Sequence, residues 1–308
     1  MENTINDKVI SKNDTLAEKE LKLRSKKKSE LASTIIINVL IAIFALIWII
    51  PIVWLLVTAF SKYRGIDTAH FFPAQGWTLD NFKIVLFEPD SVVQYMAWFK
   101  NTLVIAIFSC IISTVFVLMV SYVFSCMRFR GRQAMMKFSI ILNMFPGVLS
   151  MIAVYFVMKQ LGLTNSHVGM VIVYSAGSGL GYLICKGFMD TIPTSIREAA
   201  RLDGASEAEI FFKIILPLSK PIIVYTVISA FLAPWADFVF AKLMLNSGIS
   251  SDWTVAIGLY NMLGKDLKSH YFSIFCAGGL LISIPISALF VLMQKYYVEG
   301  VTGGASKG

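Results

Sequence analysis

Residues 101–125 read NTLVIAIFSCIISTVFVLMVSYVFS, 25 residues without a charge and broken only by small polar side chains. As a helix rising ~1.5 Å per residue, the stretch outruns the ~30 Å hydrocarbon core of a bilayer. It reads as a transmembrane helix. Working outward, five more segments share its character: 33–60, 135–157, 168–185, 221–240 and 272–293. Their interruptions are mainly small polar residues, Pro or Gly, which helices in lipid tolerate when neighbours satisfy the freed backbone groups. The expected fold is therefore an all-α membrane protein with six transmembrane helices and both termini on one side. The first segment is too long, and too far from residue 1, to read as a cleaved signal peptide. Composition agrees: the 308 residues are 56% hydrophobic and 15% charged, with mean hydropathy +0.71. Soluble chains carry about 25% charge, so a water-soluble enzyme is excluded.

Cytoplasmic loops carry the excess of Lys and Arg. Of the 27 such residues, 19 fall in the tail 1–32, the second loop (126–137), the fourth loop (186–220) and the end 295–308. The remaining 8 fall in the first, third and fifth loops. Both termini are expected in the cytoplasm, and topology accounts for the net charge of +8 without nucleic-acid binding. Residues 1–32, rich in Lys, Glu, Ser and Asn, read as a disordered tail. The basic end of this tail, Arg24 to Lys28, either contacts anionic head groups or only fixes topology.

Nothing in the pattern suggests catalysis. Cys110, Cys126, Cys185 and Cys276 lie far apart in or beside apolar segments and read as buried small residues. His70, His167 and His270 form no metal motif. Gly258 to Gly264-Lys265 has a phosphate-loop look, but its spacing is one residue too long and Asp266 stands where Ser or Thr is needed. No metal, cofactor or ATP site is expected in this chain.

The fourth loop, between the fourth and fifth segments, reads TIPTSIREAARLDGASEAEIFFKIILPLSKP over 191–221. Ser195 with Glu198, and Ser206 with Glu209, have the spacing of helix capping boxes. Gly204 between them is a natural stop, so the loop is expected to form helix, turn, helix. Ala199, Ala200 and Leu202 give the first helix a small, close-packing surface. Ile210, Phe211, Ile214 and Ile215 give the second an apolar stripe. Pro217 and Pro221 then set the angle into the fifth segment. Such a pair either packs beneath the protein's own helices or receives a soluble partner.

Glu198-Ala199-Ala200, Asp203-Gly204-Ala205 and Leu216-Pro217 resemble the EAA loop of ATP-binding-cassette importer permeases. The resemblance extends over residues 33–308, with the loop at 190–220 and a cytoplasmic tail at 295–308. It implies a permease domain in which the first loop helix is the coupling helix, seated on an ATP-hydrolysing subunit. Glu198 would pair there with a basic group and Gly204 would make the turn. Phe72-Pro73, Trp77 to Phe82, Asn101-Thr102, and Pro234-Trp235 with Asp237-Phe238 resemble the carbohydrate branch, specifically the smaller permease of maltose/maltodextrin-type systems. The end, with Gly303, Gly304 and Lys307, resembles the tail that in this branch reaches toward the ATPase dimer. Ala236 departs from the usual Asn of that signature.

The resemblance thus implies a non-catalytic sugar-transport subunit of a bacterial plasma membrane. Its implied partners are a second permease, two ATP-binding subunits, an extracytoplasmic sugar-binding protein and membrane lipid. Candidate residues of the translocation path are Asp237, Trp235 and Asn143. Asp237 lies just after the Pro234 break and either faces that path or snorkels to the outer head groups. Asn143, Pro146 and Pro285 fit a satisfied kink or a wet path. The Gly177 and Gly181 pair fits close helix packing or a hinge. The same machine moving a non-sugar solute remains an alternative. An ion-coupled secondary transporter is a farther one, since it needs several ionisable groups at mid-membrane and Asp237 is the only acidic residue in the six segments.

Overall fold

A computed structural model describes residues 33–67, 69–177 and 181–305, with backbone only from 296 onward. The proposed tail 1–32, and Lys307 at the other end, lie outside the described residues. The chain divides into two units, Met1–Leu56 and Val57–Gly308. The described part of the first is most of helix α1 (Ser33–Ala59), 27 residues of high hydropathy that carry no charge.

The second unit holds the remaining helices: α2 (Asp80–Phe87), α3 (Tyr95–Cys126), α4 (Arg132–Asn143), α5 (Gly147–Gln160), α6 (His167–Ala176), α7 (Gly181–Met189), α8 (Thr194–Leu202), α9 (Glu207–Leu218), α10 (Lys220–Ala236), α11 (Val239–Met244), α12 (Val255–Met262) and α13 (Lys268–Ala305). No strand occurs among the described residues. Three helices, α1, α3 and the first 28 residues of α13, are long and apolar enough to cross a membrane alone. Six spans result when α4 with α5, α6 with α7, and α9 with α10 are each counted as one bent span.

The bends have local causes. Pro146 lacks an N–H and disfavours helical geometry in the residue before it, so α4 ends at Asn143 and α5 restarts at Gly147, turned by 101°. The third segment, read from sequence as a single span, is thus two helices. Helix α9 meets α10 at Ser219 with an 82° bend, so α10 carries the fifth apolar segment and α9 belongs to the loop before it; Pro221 occupies the first turn of α10, where a missing N–H costs nothing. Pro234 lies inside α10, which ends two residues later at Ala236.

Helix α3 is the central post, packed against α6, α7 and α10, while α13 packs against α2, α10 and α12. One buried cluster gathers Ile105, Met158, Met170, Met244 and Ile257; another gathers Leu118, Tyr122, Cys185, Met189, Ile210 and Ile215. All four cysteines are free and buried, as apolar packing units. Outside these clusters α3 leaves Phe108, Ile111, Val115, Phe116 and Met119 exposed, the pattern of a helix facing lipid on one side.

The stretch from Asn101 to Thr102 fastens the connection between α11 and α12. Asn101 Nδ2 donates to the carbonyls of Ser251 (2.7 Å) and Trp253 (3.1 Å), while Thr102 Oγ1 accepts from Val255 N at 2.8 Å. Gly258 allows the crossing: a Cβ there would lie 2.1 Å from the Trp98 ring. In the first loop, buried Asn81 donates to the carbonyls of Ala59 and Ser61 and accepts from Ser273. Its Trp77 pairs with Ser61 in an isolated bridge.

Candidate functional site

Two features concentrate the polar side chains that six apolar spans would otherwise avoid. The first is a cavity of about 740 Å³ between α3, α5, α6, α7 and α10. Its wall is mostly apolar, with hydroxyls from Ser113, Ser150, Tyr174, Tyr225, Thr226 and Ser229, and a single charged lining residue, Asp237. That is the make-up of a small-molecule site: apolar surface with a few placed polar groups.

Asp237 reaches the cavity because the helix stops for it. It is the C-cap of α10, in extended geometry, with its N–H donating to Ala233 O. The carboxylate is held on both oxygens: Tyr174 OH donates to Oδ2 at 2.8 Å, and Phe240 N donates to Oδ1 at 3.0 Å, starting α11. Trp235, two residues earlier, points elsewhere: it is buried, 5.3 Å centroid to centroid from Phe99 and 5.9 Å from Phe231. Its indole Nε1 has no acceptor among the described residues. Asn143 is exposed at the end of α4, donating to Ser139 O, and is not part of the cavity wall. Gly177 and Gly181 do line it, and a Cβ on Gly181 would meet only a Val117 methyl at 3.6 Å.

The second feature is the loop from Asp190 to Ser219. The expected helix, turn, helix is present as α8 and α9. Gly204 turns the chain at φ +85°, Ala205 N donates to Ala200 O and Gly204 N to Arg201 O, the two closing bonds of a Schellman motif. Ser206 and Glu209 form the expected capping box. The box expected at Ser195 and Glu198 is absent. Pro193, with φ near −55°, starts α8 at Thr194, which leaves Ser195 already inside the first turn, where its hydroxyl cannot cap. Within α9, residues Ile210–Ile215 form a π-helical turn, a local over-widening that recurs at functional sites.

The loop is covered on one face only. Ala200, Ile210, Phe211 and Ile215 are buried against Tyr122, Cys185 and Met189. Glu198, Ala199, Asp203, Gly204 and Pro217 are exposed, Ala205 and Leu216 are half-buried, and Leu202 and Phe212 stand out at 89% and 64% exposure. Glu198 also lines a shallow cleft with Arg128, Arg197 and Arg201. Two residues not expected from the sequence organise this region. Glu207 accepts from Arg201 Nε and from Tyr122 OH, both at 2.7 Å, and Arg201 above all holds its carboxyl below the usual range. The signal was thin: a Glu one residue after a capping Ser, and a Tyr near the end of an apolar run. Gly303 and Gly304 lie on the backbone of α13. Among the described residues no His, Cys, Asp and Glu cluster could hold a metal.

The chain as a whole is similar to known proteins. Residues 118–303 match the family described as binding-protein-dependent transport system inner membrane component. The chain is 34% identical over 270 residues to the galactooligosaccharides transport system permease protein GanQ of Bacillus subtilis, covering 87% of this chain and 94% of that one. It is 34% identical over 266 residues to the maltodextrin transport system permease protein MdxG of the same organism, covering 85% and 93%. With the maltose/maltodextrin transport system permease protein MalG of Escherichia coli K12 it shares 30% over 298 residues, covering 91% and 98%. The fold matches a chain of a bacterial ABC transporter involved in import of the acidic polysaccharide alginate, with TM-score 0.73 at 22% identity over 87% of this chain and 98% of that chain. A second alginate transporter structure, in complex with its pentasaccharide-bound periplasmic protein, matches with TM-score 0.60 at 15% identity, over 83% and 92%.

Proposed function

The chain belongs to the binding-protein-dependent transport system inner membrane component family, and we propose that it is the smaller permease subunit of an ATP-driven importer of oligosaccharides of the maltodextrin or galacto-oligosaccharide kind. It is a multi-pass transport component of sugar-permease type. In this reading residues 33–308 form the permease domain, both termini are cytoplasmic, and the chain supplies half of a path whose other half is a second permease. An extracytoplasmic binding protein delivers the sugar. Two ATP-binding subunits hydrolyse ATP; this chain performs no covalent chemistry.

The observation that carries the reading is the loop. A helix, turn, helix with Glu198, Ala199, Asp203 and Gly204 exposed, and Leu202 almost wholly so, presents an apolar, partly acidic face outside the spans while its other face is packed home. An apolar side chain displayed that way calls for a cover, and an ATP-binding subunit is the cover the EAA pattern fits. Closure of the ATPase dimer would carry α8 with it, and the spans would convert that movement to alternating access around the cavity at Asp237. The C-terminal residues Gly303, Gly304 and Lys307 would add a second contact to the same subunits.

The test is ATPase activity of the complex reconstituted with its binding protein. Stimulation by a neutral oligosaccharide, lost on Gly204→Pro, supports the reading; stimulation by a polyamine or peptide and by no sugar overturns it.

A further inference from the structure

Three hydroxyls in the last two turns of α3 leave that helix for neighbouring segments, one ending on α7 and two on the segments that flank α8. Ser121 Oγ donates to Tyr182 O of α7 at 2.9 Å. Ser125 Oγ donates to Asp190 Oδ1 at 2.7 Å, and Asp190 in turn pairs with Lys186, closing the segment that leads into α8. Tyr122 OH donates to Glu207 Oε2 at 2.7 Å, on the segment that leaves α8. Arg201, in the last turn of α8 itself, donates to the other oxygen of the same carboxylate. The Tyr122 ring lies 4.9 Å from Phe211 in the π-helical turn of α9, so an apolar contact backs the polar one.

The geometry points to α3 as the output shaft of the coupling loop, with Tyr122 and Glu207 as positioning residues that make α8, the start of α9 and the end of α3 move as one body. A loop joined to the spans only through its chain ends would absorb a push on α8 by flexing at Gly204 and Ser219. With both flanks hydrogen-bonded to one helix, the push arrives at α3. Ser113 and Val117, on the wall of the 740 Å³ cavity, sit on that helix nine and five residues before Tyr122. At ~1.5 Å per residue the tie lies roughly 8 Å from Val117 and roughly 14 Å from Ser113 along a single helix. The two carboxylate bonds are charge-assisted, which suits them to carrying load between elements.

This inference rests on the coupling reading of the loop, so the experiment separates the two. The assembled complex is prepared with Tyr122→Phe, Glu207→Ala, the pair together, and Glu198→Gln, and sugar moved per ATP hydrolysed is measured. A tie that only stabilises the fold would lower the amount of assembled complex and leave that ratio alone. The expected result is a ratio reduced at least about fivefold by Tyr122→Phe or Glu207→Ala, within the range of allosteric couplings, with the pair no worse than either single change. An unchanged ratio in Tyr122→Phe, with Glu198→Gln impaired, overturns the tie and leaves the coupling loop standing. Ratios unchanged in all four remove the coupling reading, and the tie with it. Should Glu207→Ala fail to assemble, Tyr122→Phe, which removes one oxygen from a well-packed ring, gives the answer alone.

Discussion

Tyr174 of α6 donates its phenolic hydrogen to Oδ2 of Asp237, 63 residues away, across the end of α10 at 2.8 Å. The bond places the cavity's one charged lining residue where two spans meet and satisfies a carboxylate that lipid would penalise by a few kcal/mol. Just past Pro234, which lies inside α10, the helix ends at Ala236, and Asp237 accepts from Phe240 N at the start of α11.

Asp237→Leu is expected to cut sugar uptake by roughly tenfold or more, the consequence of removing a charge-assisted contact worth ~1.5–3 kcal/mol, while ATP hydrolysis by the assembled complex persists. Tyr174→Phe should cost less, since the carboxylate keeps its backbone donor. Uptake unchanged in Asp237→Leu would take the residue out of the path.

Gly204 carries a second expectation. At φ +85° a side chain is strained, yet a Cβ there would meet nothing within 4 Å. The cost of Gly204→Ala is therefore conformational alone, ~1–2 kcal/mol, and should appear as weaker binding of ATP-binding subunits with the permease fold intact. Gly258→Ala is the opposite case, since its Cβ would sit 2.1 Å from the Trp98 ring. Overpacking of this kind costs ~1–3 kcal/mol, and the variant should lose thermal stability before any transport step is reached. A melting temperature of Gly258→Ala equal to that of the unsubstituted chain would contradict the close crossing.

Much of this was legible in the sequence, and the failures have physical causes. Apolar length marked the spans, because a bilayer sets a minimum that few other environments demand. Gly204 and the Ser206 and Glu209 pair marked the loop's turn and second helix, because those signals are local. Pro193 defeated the cap assigned to Ser195 by starting α8 at Thr194. Tyr174 with Asp237, and Tyr122 with Glu207, went unseen because they are separated by 63 and 85 residues, and no short spacing encodes a meeting between helices. For the same reason Trp235 and Asn143 looked equivalent to Asp237 in sequence, whereas only Asp237 lines the cavity.

The loop from Asp190 to Ser219 is expected to be insensitive to pH across the physiological range. Lys213 and the Ser206 cap bring the Glu209 carboxyl down to about 2, and Arg201 lowers Glu207. Groups with depressed folded pKa values stabilise fully above their unfolded value, ~4.3, and lose that contribution only as pH falls through the lowered one. Hydrogen exchange of the Ser206 and Glu209 amides should show constant protection from pH 8 to pH 5, after correction for intrinsic rates, and opening only below about pH 4. Loosening near pH 6 would contradict these ties.

The distribution of Lys and Arg leads us to propose that both termini are cytoplasmic. Single cysteines at Ser91 and Ser306, in a chain cleared of its native four, should react with impermeant reagents only from outside and only from inside respectively. Reaction of both from one face would overturn the six-span arrangement.

The central claim, that this chain carries saccharide through an ATP-driven path, is tested most directly by uptake into proteoliposomes containing the complete complex and its binding protein. Labelled maltodextrin and galacto-oligosaccharide should accumulate only with ATP available to the ATP-binding subunits, and accumulation should vanish with Gly204→Pro in this chain. Sugar uptake that proceeds without ATP on an imposed ion gradient, or ATP-dependent uptake of another solute with no oligosaccharide moved, would contradict it.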